Sequence, residues 1–376
     1  MGNEIELASV ITDIAAGPFG SNLKVECFVP YGFPIIDGAN LKGYKVTDNL
    51  TKFVTEEKAR FLSRSIARRG DVVVTISGTL GQIAYIPEDS MFEEYLCSQR
   101  QFRASFDTSQ VYVPYLVFYF HTFEGQNKIL SFANQTGVPA LSQPLKNFKK
   151  IRLCLPDYPT QKKIASIIEA FNDKIECNQK INDNLEQQAQ AIYCDLFITN
   201  ANPSWQLGRL SDLITVRYGK DHKKLADGIY PVYGSGGIMR YVEKPLYDKE
   251  SVLIPRKGTL NNVMYVNKPF WSVDTMFFTE MKLPNVAKFV FHFVKSKDLA
   301  SLNAGSAVPS MTTDILNAME LPIPDADTFY RFENIVAPLY QAMQQNTQES
   351  SKLAELRDSL LPRLMSGELD VSSIDL

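Results

Sequence analysis

The strongest constraint on the fold is an internal duplication that spans most of the chain. Residues 138–156 (VPALSQPLKNFKKIRLCLP) resemble residues 308–324 (VPSMTTDILNAMELPIP) in their order of Val-Pro, polar stretch, apolar segment and alternating run before proline. Upstream, residues 70–86 and 249–266 each place Gly-Thr-Leu between two apolar runs. Short alternating runs punctuated by glycine and proline indicate strands. The sequence therefore predicts two β-rich modules of common design.

A long amphipathic helix is predicted after each module. The first extends from Thr160, an N-cap residue type, to about Phe197, and the segment Asn200–Pro203 ends it. The second extends from about Thr328 to Ser366. At a rise of about 1.5 Å per residue, each helix is roughly 55–60 Å long.

The second helix is expected to be the less regular of the two. Pro338 and Pro362 lie inside it, and each removes a backbone donor, so we expect bends or a break there. Gly367 follows the last predicted turn and is expected to be its C-terminal cap.

Both helices carry heptad repeats of apolar residues, which indicate a coiled coil. In the first helix the two seams are Ile164, Phe171, Asn178, Leu185, Ile192 and Ile168, Ile175, Asn182, Ala189, Leu196. In the second they are Phe332, Leu339, Asn346, Leu353, Leu360 and Val336, Met343, Ser350, Arg357, Leu364.

Two central asparagines favour an antiparallel pair. Asn178 and Asn346 each lie near the middle of their helix, so an antiparallel arrangement places centre against centre and lets the amides pair. A parallel pair also matches them, but the second module must then return along the whole helix. We predict that Asn178 and Asn346 are neighbours and that the modules lie at opposite ends. Alternatively, each asparagine only marks a solvated position in its seam.

Composition indicates a globular protein of more than one domain. The chain has 376 residues, of which 45% are hydrophobic and 22% charged. It contains no apolar run long enough for a membrane helix. The cysteines are widely spaced and odd in number, which disfavours a disulfide framework or zinc site and suggests a cytoplasmic protein: Cys27, Cys97, Cys154, Cys177 and Cys194.

Charge is distributed unevenly along the chain. The net charge of -3 and the pI of about 5.8 argue against a strongly basic nucleic-acid binder. However, residues 209–283 contain twelve Lys and Arg against eight Asp and Glu, whereas residues 327–376 contain four against eight. A basic module beside an acidic helix is compatible with DNA binding through one part of the chain.

The combination of motifs resembles the specificity subunit of type I restriction-modification enzymes, over essentially the whole chain. The duplication with its two long helices is its most specific feature. The segments that carry the resemblance are Val138-Pro139-Ala140-Leu141-Ser142, Leu155-Pro156, Gln161-Lys162-Lys163-Ile164-Ala165, Leu360-Leu361 and Ser366-Gly367-Glu368-Leu369. The second copy departs from this pattern, because Phe329-Tyr330-Arg331-Phe332 stands where the Gln-Lys-Lys-Ile segment is expected.

The resemblance implies an α+β fold with two target-recognition domains, residues 1–158 and 201–326, separated by helices in residues 159–200 and 327–376. Each domain would recognise one half of a bipartite double-stranded DNA target. The helices would set the spacer between the half-sites and dock two modification (methyltransferase) subunits, which restriction (motor and nuclease) subunits join. S-adenosylmethionine would belong to the modification subunit, and ATP with magnesium to the restriction subunit. No membrane partner is implied.

Polar and basic clusters in predicted loops supply the candidate DNA contacts, because such side chains bind base edges and phosphates. For single residues, a solvated surface role is an equally good interpretation. In the first module the candidates are Ser21, Asn22 and Lys24 of the 17–24 loop, Thr79, Gln82, Gln99 and Arg100. In the second they are Lys220, His222, Lys223, Ser235, Arg240, Arg256, Lys257, Thr259, Asn261 and Asn262. Phe270 and Trp271 have strand spacing and are expected in the core rather than as a stacking platform.

The sequence carries no signature of catalysis. It has neither a Gly-x-x-x-x-Gly-Lys-Ser/Thr loop, nor a Gly-x-Gly-x-x-Gly fingerprint, nor an Asp/Asn-Pro-Pro-Tyr-like methyltransferase tetrapeptide. Its histidines, His121, His222 and His292, are far apart, and the Gly234–Gly237 run is better interpreted as a turn than as a phosphate site. We therefore expect no catalytic residue, metal or cofactor in this chain. The main alternative is a two-module protein-binding scaffold that never contacts DNA; a self-contained methyltransferase is disfavoured.

Overall fold

The computed structural model describes residues 3–134, 138–302 and 310–372. The chain forms two compact units: unit 1 comprises Met1–Cys177 and Glu349–Leu376, and unit 2 comprises Asn178–Gln348. Val308 and Pro309, which begin the second copy of the repeated segment, lie outside the described residues.

Unit 1 is built from short strands and helices. Its strands are β1 (Asn3–Glu6), β2 (Ile11–Ala16), β3 (Phe33–Ile36), β4 (Phe53–Val54), β5 (Ile66–Arg68), β6 (Val72–Thr75), β7 (Ile83–Tyr85), β8 (Glu94–Cys97), β9 (Gln101–Phe106) and β10 (Arg152–Leu155). Its helices are α1 (Glu56–Phe61), α2 (Val113–Phe120), α3 (Phe123–Leu130), α4 (Pro144–Lys149) and the first part of α5 (Tyr158–Cys194), up to Cys177. The last part of the second long helix, from Glu349 to Met365, also belongs to unit 1. The β-branched run of β6 is fully buried, and this strand lies inside the sheet β2-β9-β6-β7.

Unit 2 repeats this plan. Its strands are β11 (Gln206–Arg209), β12 (Ile214–Tyr218), β13 (Asp227–Gly234), β14 (Gly237–Val242), β15 (Ser251–Pro255), β16 (Met264–Val266), β17 (Trp271–Ser272), β18 (Met276–Met281) and β19 (Glu320–Ile323). Its helices are α6 (Leu210–Leu213), α7 (Ala287–Lys295), α8 (Thr313–Asn317), the second part of α5 from Asn178, and the first part of α9 (Ala326–Met365), up to Gln348.

The duplication extends to strand pairing. The antiparallel sheet β2-β9-β6-β7 of unit 1 has the same order as β12-β18-β15-β16 of unit 2. A parallel pair, β3 with β8, corresponds to β13 with β17, and the antiparallel pair β1-β10 corresponds to β11-β19. The predicted duplicated α+β fold is therefore confirmed.

The sequence does not show whether the segments that form α2 and α7 are helices or strands. All residues of α2 are buried, and so are Ala287–Val294 of α7. The run of α2 is apolar throughout and has neither a helical nor a strand period, so its type cannot be decided from periodicity alone. The run of α7 is apolar except for Lys288, His292 and Lys295. These two helices pack in the cores of their units.

The long helices begin earlier than their sequence predicts. Asp157, not Thr160, provides the N-terminal capping side chain: its Oδ1 accepts a hydrogen bond from the Thr160 amide at 2.8 Å. At the other end, a π-helical turn over Asp195–Thr199 continues α5. An acidic oxygen satisfies a free amide of the first turn better than the Thr160 hydroxyl and also favours the helix dipole.

The expected break at the internal prolines does not occur. Helix α9 is continuous from Ala326 to Met365 through both Pro338 and Pro362. Val336 and Leu361 beside them are buried, and this packing offsets the lost backbone hydrogen bond at each site. Gly367 has φ +76°, as its predicted role as C-terminal cap requires.

Contacts within each unit show that the helices pair in antiparallel fashion. In unit 1, Arg357 Nη1 donates to Asn172 Oδ1 at 2.7 Å, and Lys174 pairs with Glu349 at 3.5 Å. In unit 2, Asn182 Nδ2 donates to the Met343 carbonyl at 3.2 Å. Residue numbers on α9 fall as those on α5 rise, so the predicted antiparallel orientation is confirmed.

The two central asparagines contact each other's helix through polar bonds. Asn178 is 1% exposed, and its Nδ2 donates to the Asn346 carbonyl oxygen at 3.4 Å. The Nδ2 of Asn346 donates to Asn182 Oδ1 at 2.9 Å, one turn further along α5. Asn182 belongs to the neighbouring seam, so three asparagines rather than two form this polar layer.

A buried glutamine connects α5 to the module that precedes it. Gln161 is fully buried; its Nε2 donates to the carbonyls of Gln110 and Pro156, both at 2.9 Å, and its Oε1 accepts from the Tyr112 amide at 2.9 Å. In the second copy Asp325 caps Thr328 as Asp157 caps Thr160, so Phe329 occupies the position of Gln161. Phe329 is buried, and an apolar contact replaces the polar one.

Candidate nucleic-acid interface

Three turns of unit 1 meet around a groove of about 680 Å³. The turns are residues 17–24 after β2, residues 76–82 between β6 and β7, and residues 98–100 between β8 and β9. Thr79, Gln82, Gln99 and Arg100 line this groove, whereas Ser21, Asn22 and Lys24 are exposed on the 17–24 turn beside it. The structure thus brings the sequence-predicted residues of the first module to one surface.

A close backbone approach joins two of these turns. The Gly17 amide donates to the Gln101 carbonyl at 2.8 Å, and a Cβ at position 17 would lie 1.9 Å from the Ser98 oxygen. Only glycine fits there. Gly219 of unit 2 is placed identically: its amide donates to the Met276 carbonyl at 3.0 Å, and a Cβ would lie 2.0 Å from the Val273 oxygen.

Amide side chains hold the turns in place. Gln82 Nε2 donates to the Gly38 carbonyl at 3.0 Å, and Gln99 Nε2 donates to the carbonyls of Gly20 and Leu23. These two glutamines, both predicted to contact DNA, therefore use their amide donors to shape the groove.

One unpaired cation stands out in the groove of unit 1. Among the described residues, no ion pair or side-chain hydrogen bond engages the Arg100 guanidinium, and the side chain is exposed. Lys52, by contrast, pairs with Asp37 at 2.6 Å. Partial burial raises the pKa of Asp37, but hydrogen bonds from Lys52 and the Ala39 amide outweigh it and leave the pKa below its usual value. Of the two cations that line the groove, Lys52 and Arg100, it is therefore Arg100 that is available to a polyanionic ligand.

Unit 2 builds the same surface from equivalent bonds. Its three turns are residues 219–224 after β12, residues 256–262 between β15 and β16, and residues 273–275 between β17 and β18. Asn262 Nδ2 donates to the Ser235 carbonyl at 2.7 Å, as Gln82 does to Gly38 in unit 1. The Arg256 amide donates to the Thr275 carbonyl at 2.9 Å, as the Ile76 amide of unit 1 donates to the carbonyl of Arg100. The backbone scaffold is common, and the side chains that it presents differ.

The surface of unit 2 is richer in free cations. Lys220, Lys223 and Lys257 are exposed, and their ammonium groups have no ion pair within the described ranges. Thr259 is also exposed on the 256–262 turn. His222 is half-buried in the 219–224 turn. Cations without acidic partners are suited to phosphate contacts.

Two predicted contacts of unit 2 have structural partners. Arg240 on β14 pairs with Asp227 at 2.8 Å and also donates to the Leu225 carbonyl. Asn261 donates to Asp298 Oδ1 at 3.0 Å and accepts from the Ala300 amide. Both side chains stabilise loops of unit 2.

Phe270 and Trp271 lie in the core, as predicted. The indole Nε1 of Trp271 nevertheless donates to the Lys220 carbonyl at 2.8 Å and so fixes the basic 219–224 turn. The sequence contained no signal for this bond, nor for the ring of Tyr218, which lies 5.3 Å from the Arg256 guanidinium. In the described parts of the chain, no group of three His, Cys, Asp or Glu side chains is arranged to hold a metal.

Comparison with known protein families assigns the chain to one of them. A model of the type I restriction modification DNA specificity domain matches residues 26–187 and again residues 202–355. The two matches cover most of the sequence, so the chain belongs to this family, and the resemblance predicted from its motifs is confirmed.

Individual relatives agree with this assignment. The chain is 21% identical over 365 residues to the specificity subunit of the type I restriction enzyme MjaIX from Methanocaldococcus jannaschii, covering 85% of this chain and 82% of that protein. It is 22% identical to the HindI specificity subunit from Haemophilus influenzae, covering 58% and 69% respectively. The crystal structure of a type I S subunit from M. genitalium shares the fold, with a TM-score of 0.60 at 17% identity over 99% of this chain and 97% of that one. Among the described residues, no helix is both long and apolar enough to cross a membrane.

Proposed function

We propose that this chain is the sequence-recognising subunit of a type I restriction-modification complex. Each unit recognises one half of a bipartite double-stranded DNA target through its three turns. The proposal rests on one observation: the two units share a backbone scaffold but expose different side chains on it. Gly17 and Gly219 mark the equivalent positions at which two backbone segments approach closely. Two domains that recognise different half-sites need the same backbone scaffold with different side chains on its surface.

The remaining roles follow from the same assignment. Residues 1–158 and 201–326 act as target-recognition domains, and the helices set the spacer and dock two modification subunits. DNA half-sites one turn apart are separated by about 34–36 Å, which helices of this length can span. The modification subunits supply S-adenosylmethionine chemistry, and restriction subunits supply ATP- and magnesium-dependent chemistry. This chain contributes recognition rather than catalysis.

Exchange of one recognition domain is the direct test. We expect that replacing residues 209–320 with the corresponding segment of another family member changes one half of the methylated motif and leaves the other half unchanged. The motif is determined by sequencing methylated bases in a host that carries the chain with its modification subunits. Exchange of residues 1–158 is the reciprocal control and changes the other half. An unaltered motif after both exchanges would favour a protein-binding scaffold.

The salt dependence of DNA binding tests the cations of unit 2. Changing Lys220, Lys223 and Lys257 together to glutamine should reduce the slope of log K against log salt by about 3, because each lost phosphate contact contributes roughly 0.9. The measurement is a binding titration of the assembled complex at several salt concentrations.

The control is the same charge change at Lys244, Lys249 and Lys268, which lie outside the three turns of unit 2. This control should leave the slope near its original value. If both triple variants had equal slopes, the lysines of the 219–224 and 256–262 turns would not contact phosphates.

A further inference from the structure

One arginine of unit 2, Arg256, is oriented by contacts at both its backbone and its guanidinium. The backbone of Arg256 is bonded on both sides: its amide donates to the Thr275 carbonyl, and its carbonyl accepts from the Met311 amide, both at 2.9 Å. These two hydrogen bonds fix the backbone to which the Arg256 side chain is attached.

The guanidinium itself is oriented by two contacts. Nη1 donates to the Asp274 carbonyl at 3.1 Å, and the guanidinium carbon lies 5.3 Å from the centre of the Tyr218 ring. Tyr218 is in turn packed edge-on against the buried ring of Phe277, with centroids 5.1 Å apart. A guanidinium has five N–H donors, so most of them remain available to a ligand.

Such an arrangement suits a base edge better than a phosphate. A phosphate contact needs positive charge and tolerates a mobile side chain, and the unpaired Lys220, Lys223 and Lys257 nearby already provide it. A guanidinium that is held over an aromatic ring and bonded to a carbonyl presents its remaining donors in a defined direction, and a pair of them can match O6 and N7 of guanine in the major groove. Prior ordering by Tyr218 lowers the entropy lost on binding.

We propose that Arg256 recognises a guanine in the half-site bound by unit 2, with Tyr218 as its positioning residue. This inference rests on the proposed function. Unit 1 has Ile76 at the position of Arg256, and its unpaired guanidinium, Arg100, stands on the opposite turn. The guanine assigned to Arg256 therefore belongs to one half-site only.

The experiment compares Arg256→Lys with the parent chain in complex with its modification subunits. Methylated-base sequencing identifies the motif, and binding titrations then use duplexes with guanine, 7-deazaguanine or adenine at each guanine position of one half-site. We expect one position at which the parent loses about tenfold or more in affinity when N7 is removed, as for a bidentate arginine contact. Arg256→Lys keeps the charge but not the fork, so it should lose this discrimination while the salt dependence is kept.

Two controls separate positioning and folding from recognition. Tyr218→Phe keeps the ring and should keep the discrimination, whereas Tyr218→Ala should weaken it. The half-site bound by unit 1 should be recognised unchanged in every variant, which also shows that each complex is folded and assembled.

Other outcomes overturn the inference. If Arg256→Lys retains all discrimination and only Arg256→Ala weakens binding, equally for every sequence, Arg256 contacts a phosphate. If the parent complex recognises a bipartite motif but no guanine position responds to Arg256, the base assignment is wrong while the proposed function stands. Failure of the parent complex to recognise any bipartite motif would instead reject the proposed function.

Discussion

Replacement of Lys288 by alanine should lower the free energy of unfolding by about 3–5 kcal/mol, the usual effect of removing one partner from a buried ion pair. Lys288 on α7 is 4% exposed. Its Nζ lies 2.5 Å from Glu333 on α9 and 3.2 Å from Glu250, and the rings of Tyr265 and Tyr340 flank it. Without the ammonium, the mostly buried Glu333 carboxylate faces a second acidic group with no counter-charge.

Lys295 offers a matched control on the same helix. It also pairs with a glutamate, Glu186, but the two side chains are 40% and 36% exposed. An exposed pair of this kind contributes about 0–1 kcal/mol, so Lys295→Ala should have a small effect. Chemical denaturation of the full chain at neutral pH measures both variants. Equal losses for the two would show that burial does not determine the contribution of the Lys288 pair.

The duplicated fold with its two long helices could be predicted from the sequence because short-range residue patterns determine these features. Heptad spacing and terminal residues are enough to place two long helices, and Gly367 takes the left-handed conformation expected of a helix cap. The repeated Gly-Thr-Leu segments also lie at equivalent turns, between β6 and β7 and between β15 and β16.

The direction of individual polar side chains could not be predicted in this way. Gln82, Gln99 and Asn262 turn inward to bond carbonyls that are 44, 79 and 27 residues away in sequence. The same holds for Gln161, whose three backbone partners include Tyr112 and Gln110. Only folding brings such partners together, so a polar residue in a loop looks the same whether it supports the loop or faces a ligand.

A buried histidine of unit 2 is likewise invisible in the sequence pattern. His292 lies within the apolar helix α7 and is fully buried. Its Nδ1 lies 2.7 Å from Gln190 Oε1 on α5, and its Nε2 lies 2.9 Å from the Tyr340 hydroxyl on α9. One neutral tautomer satisfies both contacts: Nδ1–H donates to the glutamine oxygen, and Nε2 accepts from the tyrosine.

Burial first, and then the nearby charge of Lys295, lower the pKa of His292 to about 4. An unfolded histidine has a pKa of about 6.5. Below that pH, His292 binds a proton in the unfolded chain but stays neutral in the folded chain. The contribution of His292 to stability is therefore at its full value above pH 6.5. It is lost progressively as the pH falls from about 6.5 to 4, by about 1.4 kcal/mol per pH unit.

His292→Gln should therefore flatten the acid side of the stability profile. Between pH 7.5 and 5.0, the parent chain should lose about 2 kcal/mol more of its free energy of unfolding than the variant does. At pH 7.5 the variant should itself be less stable by about 1 kcal/mol, because glutamine reproduces the two hydrogen bonds imperfectly. Denaturant unfolding at both pH values gives the two differences, and the contributions of all other titrating groups, His121 included, cancel because both chains contain them.

Tyr340→Phe separates the effect of burial from that of the hydrogen bond. It removes the hydroxyl at Nε2 but leaves His292 enclosed by α5, α7 and α9, so it should lower stability by about 1 kcal/mol at every pH and keep the parent's pH dependence. If the His292→Gln chain lost stability between pH 7.5 and 5.0 as steeply as the parent, the histidine would not be a neutral buried group. The loss would then come from other groups that gain protons as the pH falls toward 4, namely carboxylates elsewhere in the chain and His121, whose pKa is also lowered by burial.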